Sequence, residues 1–257
     1  MTTATIKQPS ISVVTATYNS AGFIADCMKS VMSQSISVEH IIIDGASTDD
    51  TLKIVRQISD SALIYSEPDR GIYDAMNKGI LHAKGDVLGI LNSDDFYVGP
   101  SVLKKVISLF QMSGADAVFA DLVYVRPYNV DQVVRYYSGA GFSPDRFAWG
   151  WMPPHPTFFV RREVYEKYGL FDTHYKIAAD YELAVRFLAR YGIKYAYLPD
   201  VIVKMRTGGI STRNLKSNWI LNREIIRACA ENGIRTNLFK VYSKYFRKIM
   251  QLIERPQ

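Results

Sequence analysis

Four apolar residues, Val87, Leu88, Ile90 and Leu91, run directly into Asn92-Ser93-Asp94-Asp95. An apolar run of this kind suits a strand buried on both faces, and charge cannot follow it deeper into a core. Asp94 and Asp95 are therefore expected at the strand's C-terminal tip, the edge at which open α/β sheets bind ligands. Hard oxygen ligands there suit Mg²⁺ or Mn²⁺ bridging a diphosphate. A turn capping the next helix uses the same residue types, so this stretch alone leaves both readings open. Two further apolar runs end in polar clusters, Thr17-Tyr18-Asn19 and Asp44-Gly45-Ala46-Ser47. In a parallel sheet such tips share one edge, so residues far apart in sequence converge. No G-x-G-x-x-G follows the first run and no G-x-x-x-x-G-K-[ST] occurs. A bound nucleotide would have to be held by side chains and a metal.

The elements needed to position these residues are legible in the pattern. Strands are expected over 11–17, 38–43, 62–66 and 87–91. Helices are expected over 21–33, to about 58, over 72–83 and over 100–112, with Pro100 in a first-turn place. Alternation of this kind predicts a mostly parallel sheet with helices on both faces. The second half differs. A strand over 117–126 leads into a Pro/Gly- and aromatic-rich stretch over 127–156, read as a long binding loop or lid. A strand over 157–160, a helix over 178–191 bearing Asp180, and a strand over 195–205 interrupted by Pro199 follow. Then come the loop Arg206-Thr207-Gly208-Gly209-Ile210-Ser211 and, from Leu215, two helices broken near Gly233.

The chain has 257 residues, 48% of them apolar, which supports a full core and excludes global disorder. Cys27 and Cys229 form no C-x-x-C pair, which argues against a zinc site or a disulfide scaffold and fits a reducing compartment. Met1–Ser10 holds no apolar core of a signal peptide, and no run reaches the length of a membrane span. The net charge of +6 belongs to the end of the chain: residues 213–257 hold ten Lys/Arg and three Asp/Glu, the remainder 21 and 22. A near-neutral body with a basic tail suggests a surface-binding appendage and not a nucleic-acid-binding core.

The ordered set Thr17-Tyr18-Asn19, Ile43 to Asp49, Ala75-Met76-Asn77-Lys78-Gly79-Ile80, Asn92-Ser93-Asp94-Asp95 and Ala179-Asp180-Tyr181-Glu182 resembles the family-2 glycosyltransferases of GT-A fold. The match covers roughly residues 10–212. Each motif is short, and the ordered set is specific. The resemblance implies a GT-A-like α/β domain over 1–212, with a nucleotide-binding half at about 10–125 and an acceptor half at about 126–212. It implies that Thr17 and Tyr18 pack around the base of a nucleotide-sugar donor, with Asn19 and Ser47 beside them, and that Asp44 accepts a hydrogen bond from that base. Asp69, Arg70, Asn77 and Arg206 would approach the sugar or diphosphate. Asn92-Ser93-Asp94 takes the place of an Asp-x-Asp motif, its first carboxylate replaced by an amide, and Asp94 keeps the metal position. Asp95 and His155 would assist at the Mn²⁺ or Mg²⁺. Asp180 would be the general base of an inverting transfer, with Ala179 where the family usually has Glu.

Salt bridging competes with the donor role for Arg70 and Arg206, helix capping with the base role for Asp180, and core packing with acceptor stacking for Trp149 and Trp151. The tail, 213–257, carries an amphipathic pattern over 238–253. Leu238, Tyr242, Tyr245, Ile249 and Leu252 lie on one side and Lys240, Lys244, Arg247 and Lys248 on the other. Contact with an anionic membrane and packing on the body both account for it. The resulting expectation is an inverting, UDP-sugar-dependent transferase. It acts on a glycan or lipid-linked glycan in cell-surface polysaccharide assembly, in the cytoplasm at the inner face of the plasma membrane. A non-catalytic binding relative and a sugar nucleotidyltransferase are the competing readings.

Overall fold

The computed structural model describes residues 8–208 and 215–250, with the side chains of 215 and 246–250 outside that description. The N-terminal half alternates β1 (Ile11–Thr17), α1 (Ile24–Met32), β2 (Glu39–Asp44), α2 (Thr51–Ile58), β3 (Leu63–Ser66), α3 (Ile72–His82) and β4 (Val87–Ile90). A two-residue strand β5 (Phe96–Tyr97), helix α4 (Val102–Ser113), β6 (Ala117–Arg126) and β7 (Asn129–Tyr137) follow. The C-terminal half holds β8 (Phe159–Arg161), α5 (Arg162–Tyr168), α6 (Ala179–Val185) running into a π turn, β9 (Tyr195–Arg206), α7 (Leu215–Glu231) and α8 (Leu238–Met250). Among the described residues one nine-stranded sheet runs in the order β3-β2-β1-β4-β8-β6-β9-β5, with β7 paired to β6.

The sheet is parallel from β3 through β4. Beyond β4 it is mixed: β8 is antiparallel to β4 and β6, whereas β9 is parallel to β6. Every β1 residue is buried, and the strand's two faces feed different cores. Ile11 and Val13 pack with Cys27 and Val31 of α1 and with α4, whereas Val14 and Ala16 pack with Ala75, Met76 and Ile80 of α3. Period-2 alternation thus feeds helices on both faces, as expected for strands buried on both sides.

Three elements differ from the sequence reading. The 127–156 stretch is not one long loop: β7 turns back on β6 as a hairpin before two short 3₁₀ turns. The helix expected over 178–191 is α-helical only to Val185. Helix α5 and strand β5 are additional, both short. The 209–211 part of the loop after β9 lies outside the described residues.

The C-terminal helices pack on the body: α7 contacts α6, and α8 contacts α7 and the 3₁₀ turn Pro144–Trp149. Val241 is fully buried and Lys244 is only 9% exposed, so Lys244, expected on an outer basic face, turns inward. Leu238, Phe239 and Tyr242 stay exposed. Residues 251–253, and the side chains of Arg247, Lys248 and Ile249, lie outside the described residues.

Helix α3 approaches β1 closely because Gly79 has no Cβ; one built there would overlap the Cγ1 methyl of Val14. Gly79→Ala should therefore lower stability by about 1–3 kcal/mol, the cost of overpacking, despite alanine's better helix propensity. Denaturant unfolding measures it, and an unchanged or raised midpoint would refute the close packing.

Candidate active site

The three polar strand tips meet, as parallel pairing requires, and they are knitted together by hydrogen bonds. Gly45 N donates to Thr17 O at 2.9 Å. Asn19 N donates to Ser47 Oγ at 2.8 Å, and Asn19 Oδ1 accepts from Thr48 N at 2.9 Å. Ser20 Oγ and Ser93 Oγ lie 2.9 Å apart, joining the first tip to the Asn92 turn. Asn19 and Ala46 both adopt positive φ, 48° and 61°, a conformation that costs energy for residues with a Cβ and clusters at functional sites.

Asp44 is fully buried at the centre of this edge. Its Oδ2 accepts from Ser47 N at 3.0 Å and Ser66 Oγ at 2.7 Å, while Oδ1 is buried with no partner. The Thr17 hydroxyl is likewise buried and unpartnered. A buried acceptor left unsatisfied is costly, and such atoms mark where a ligand donor belongs. Asp69 closes the cradle from β3's side: its Oδ1 accepts from Gly71 N at 2.8 Å, and its Oδ2 lies against Gly45, where a Cβ would collide with it. The Tyr18 ring also borders Gly45 and is 63% exposed, open to stacking.

Asp94 and Asp95 follow β4. Asp95 is fully buried and accepts from the Asn92 amide at 3.2 Å and Arg206 N at 3.3 Å, so it anchors the turn. Burial raises both carboxyl pKa values, Asp95's well above its ordinary range with Asp94 adding to it; Arg206 pulls in the opposite direction at both. Asn92 Oδ1 is buried without a partner. A carboxyl short of solvation beside an unsatisfied amide oxygen fits a hard cation that keeps most of its water, as Mg²⁺ does with one or two carboxylates. Among the described residues no three His, Cys, Asp or Glu side chains converge as a ready-made metal centre. His155 is therefore not gathered with Asp94 and Asp95.

Three expected donor contacts are occupied elsewhere. The Arg206 side chain is 4% exposed; its Nε donates to Pro127 O at 3.1 Å, Nη1 to Asp94 O at 2.7 Å and Nη2 to Asp26. It is a clamp beneath the Asp94 turn, each of its three nitrogens donating to an oxygen of the fold. Asn77 spends its amide on the Phe171 backbone, 2.9 Å in each direction, tying α3 to the segment before α6. Arg70 pairs with Asp74 at 2.9 Å on the surface.

Asp180, on the first turn of α6, stands on the wall of a cavity of about 330 Å³ that also holds His155, Trp149, Trp151, Arg135 and Lys244. Burial raises its pKa, opposed by His155, by the Tyr181 N–H at 2.8 Å and by the Tyr73 hydroxyl. Burial lowers the pKa of His155, opposed by Asp180, and its ring lies 5.8 Å from that of Phe171. Trp151 is buried and Trp149 is 45% exposed, so packing explains the first and leaves the second available.

Sequence reasoning missed Glu224. From α7 its carboxylate accepts Lys176 N at 2.8 Å and Ile177 N and Ala178 N at 2.9 Å each. Ala178 precedes α6 and has no side chain able to cap it, so Glu224 supplies from 46 residues away the anion a helix start favours. No local pattern could reveal it.

A family model for glycosyl transferase family 2 matches residues 12–173, which include every strand tip described above. The chain belongs to glycosyltransferase family 2. An uncharacterized glycosyltransferase of Mycobacterium tuberculosis is 34% identical over 182 residues, covering 69% of this chain and 68% of the relative. A PGL/p-HBAD biosynthesis glycosyltransferase of Mycobacterium bovis is 26% identical over 226 residues, covering 85% and 83%. In fold, this glycosyltransferase is similar to S. aureus TarS 1-349 in complex with UDP-GlcNAc, with a TM-score of 0.67 at 19% identity. It covers 66% of that chain, just under two thirds, from 85% of its own. It is similar also to the mannosyltransferase PcManGT from Pyrobaculum calidifontis in complex with GDP-Man and Mn²⁺, with a TM-score of 0.65 at 22% identity, covering 94% of this chain and 70% of that one. These likenesses establish the GT-A-like fold.

Replacing Glu224 by Gln leaves three backbone donors facing a neutral amide with half the acceptor capacity. A loss of about 1–3 kcal/mol is expected, together with faster amide hydrogen exchange at 176–178. Exchange at these three amides equal to the parent's would refute the cap.

Proposed function

We propose that the protein transfers a sugar, with inversion at the anomeric carbon, from a nucleotide-diphosphate donor to a hydroxyl of a glycan or lipid-linked glycan. UDP-sugar is the expected donor. One structural link carries this reading. The Asp69 loop that closes the donor cradle leads into α3, and Tyr73 in its first turn donates to Ile177 O beside Asp180. Cradle and carboxylate are thus coupled through a single helical turn.

In this reading Asp44, Thr17 and Tyr18 hold the base, and Asp69 borders the donor. Asp180 takes the proton of the acceptor hydroxyl. That oxygen bonds to the anomeric carbon as the bond from this carbon to the diphosphate oxygen breaks, and the nucleoside diphosphate leaves with the electron pair. A divalent cation held by Asp94, with the Asn92 amide oxygen beside it, would supply charge neutralisation for the leaving group. Cell-surface polysaccharide or glycolipid assembly suits the named relatives. Among the described residues no helix is long and apolar enough to cross a membrane. The exposed Leu238, Phe239 and Tyr242, with Lys240 Nζ 5.4 Å over Trp149, support peripheral contact with an anionic membrane on its cytoplasmic side.

Asp180→Asn tests the base. Turnover should fall about 10²–10⁴-fold. The raised pKa means that the folded state favours the protonated carboxyl, so ionised Asp180 costs stability at neutral pH. The melting temperature of the Asn variant at pH 7 should therefore equal or exceed the parent's, separating a chemical defect from a folding one. In the parent, the acidic limb of the pH–rate profile should lie above the ordinary carboxylate range. Retained turnover in the variant would remove Asp180 from the chemistry.

Thermal shift with UDP, GDP, CDP and TDP, each with Mn²⁺, Mg²⁺ or EDTA, tests the donor. One nucleotide should stabilise the fold by about 2.7 kcal/mol at a hundredfold excess over Kd. The effect should need metal and vanish in Asp94→Ala. A protein indifferent to all four would not be a nucleotide-sugar enzyme.

A further inference from the structure

The two carboxylate oxygens of Asp44 are in unequal positions. Oδ2 already accepts two donors, Ser47 N at 3.0 Å and Ser66 Oγ at 2.7 Å, as many as its two lone pairs hold. Oδ1 is buried and accepts none. The two donors differ in origin. Ser47 supplies a backbone N–H, which any residue except proline would bring to the turn after β2. Ser66 ends β3 opposite Asp44 in the parallel register, and only its side chain supplies the second donor. Thr17 stands opposite Asp44 on the other side, at the end of β1, and its hydroxyl is buried with no partner. Paired positions of parallel strands share a face, so Thr17, Asp44 and Ser66 form one row across three strands. To a ligand this row offers one hydroxyl and one carboxylate oxygen, because the other carboxylate oxygen is taken.

Nucleobases differ in the donors they bring to such a row. The imide of uracil presents one ring N–H beside a carbonyl. The N–H matches Asp44 Oδ1, and the carbonyl accepts from the Thr17 hydroxyl. Guanine presents a carbonyl, a ring N–H and an amino group side by side. A carboxylate with both oxygens free takes the two N–H donors together, one on each oxygen. At Asp44 the second oxygen is full, so the guanine amino group would be left without a partner, and a site built on hydrogen bonds rejects a ligand that leaves one unmade. We propose that Ser66 is a specificity-determining residue: by filling Asp44 Oδ2 it confines the carboxylate to a single N–H and selects a base with a uracil-type imide edge over guanine. This rests on the reading of the strand tips as the base-binding part of a nucleotide-sugar site. It deepens that reading by giving base choice to a side chain that acts through Asp44.

Calorimetric titration of the full chain with UDP and with GDP, each at saturating Mn²⁺, tests this. The parent should bind UDP about tenfold or more tightly than GDP, the order expected for one hydrogen bond to a charged acceptor. In Ser66→Ala, Oδ2 regains a place for the amino group, and the UDP:GDP affinity ratio should fall by about the same tenfold. Ser66→Thr keeps the hydroxyl donor and should keep the parent's ratio. A general loosening of β3 would weaken both nucleotides together and leave the ratio where it was, so the ratio separates base selection from a structural defect. A parent that binds GDP as tightly as UDP, or a ratio that Ser66→Ala does not move, would overturn the proposal. So would a Ser66→Thr variant that behaves as Ser66→Ala does. The four-nucleotide thermal shift on the same preparations keeps the two readings apart. A stabilising nucleotide with no UDP preference, or with a preference indifferent to Ser66→Ala, removes this inference alone. Silence to all four nucleotides removes the transferase reading on which it rests.

Discussion

Arg206 is the interaction on which the site depends. Desolvated carboxylates gathered at one sheet edge repel one another, and burial alone pushes Asp94 and Asp95 toward their neutral forms. The Arg206 guanidinium counters this from below. It binds the Asp94 carbonyl, the Pro127 carbonyl and Asp26 of α1 at once, and its Cζ lies 4.9 Å from the Phe96 ring and 5.0 Å from the Phe23 ring. The last strand, the Asp94 turn and the first helix are thereby fixed to one another through one cation. Desolvating a guanidinium is expensive, and the cost is met only because each of its nitrogens finds an oxygen. The same contacts fix the geometry of this arginine from within the fold, as a clamp of the turn.

The division between what the residues reveal and what they conceal follows the division of the sheet. Strands β1, β2 and β4 are short apolar runs closed by polar tips, and parallel pairing leaves no freedom about which edge those tips share. Asp44, Thr17 and Asp94 were therefore placed by pattern alone. Beyond β4 the sheet is mixed, and local pattern loses its grip. Strand β7 hides in a stretch rich in Pro, Gly and aromatic residues because it is half-exposed and irregular in register against β6. Asn77 and Arg206 have side chains suited to a ligand, but their partners, the Phe171 backbone and the Asp94 carbonyl, are 94 and 112 residues distant. Residue type announces hydrogen-bonding capacity; only the fold decides who uses it.

The C-terminal helices show the same limit in stronger form. Their charge pattern reads as a surface appendage, and three apolar side chains of α8 do remain in solvent. Yet Glu224 of α7 holds the three amides that precede Asp180, and Lys244 of α8 enters the cavity that Asp180 lines. The family match ends at residue 173, before either helix and before Asp180 itself. The cradle of strand tips thus lies wholly within the matched portion, whereas Asp180 and the two C-terminal helices come after it.

That arrangement has a physical consequence for specificity. A nucleotide diphosphate presents the same polar groups whatever sugar it carries, so its cradle can be built from strand tips whose geometry the sheet dictates. An acceptor is recognised by shape and charge that differ from one substrate to the next. In the proposed reading those features are supplied by a hairpin, a 3₁₀ turn and two helices packed on the sheet's margin, elements that can change length and composition without disturbing β1, β2 or β4. Glu224 then acts as the coupling between the two regions. It ties α7 to the start of α6, so in the proposed transfer a change in how α7 sits against α6 moves the carboxylate that meets the acceptor hydroxyl. If Asp180 is the base, as proposed, an error of about an ångström there is enough to cost a large factor in rate. In the proposed transfer, acceptor recognition and the placement of Asp180 are one packing problem, and α7 belongs to it as fully as α6 does.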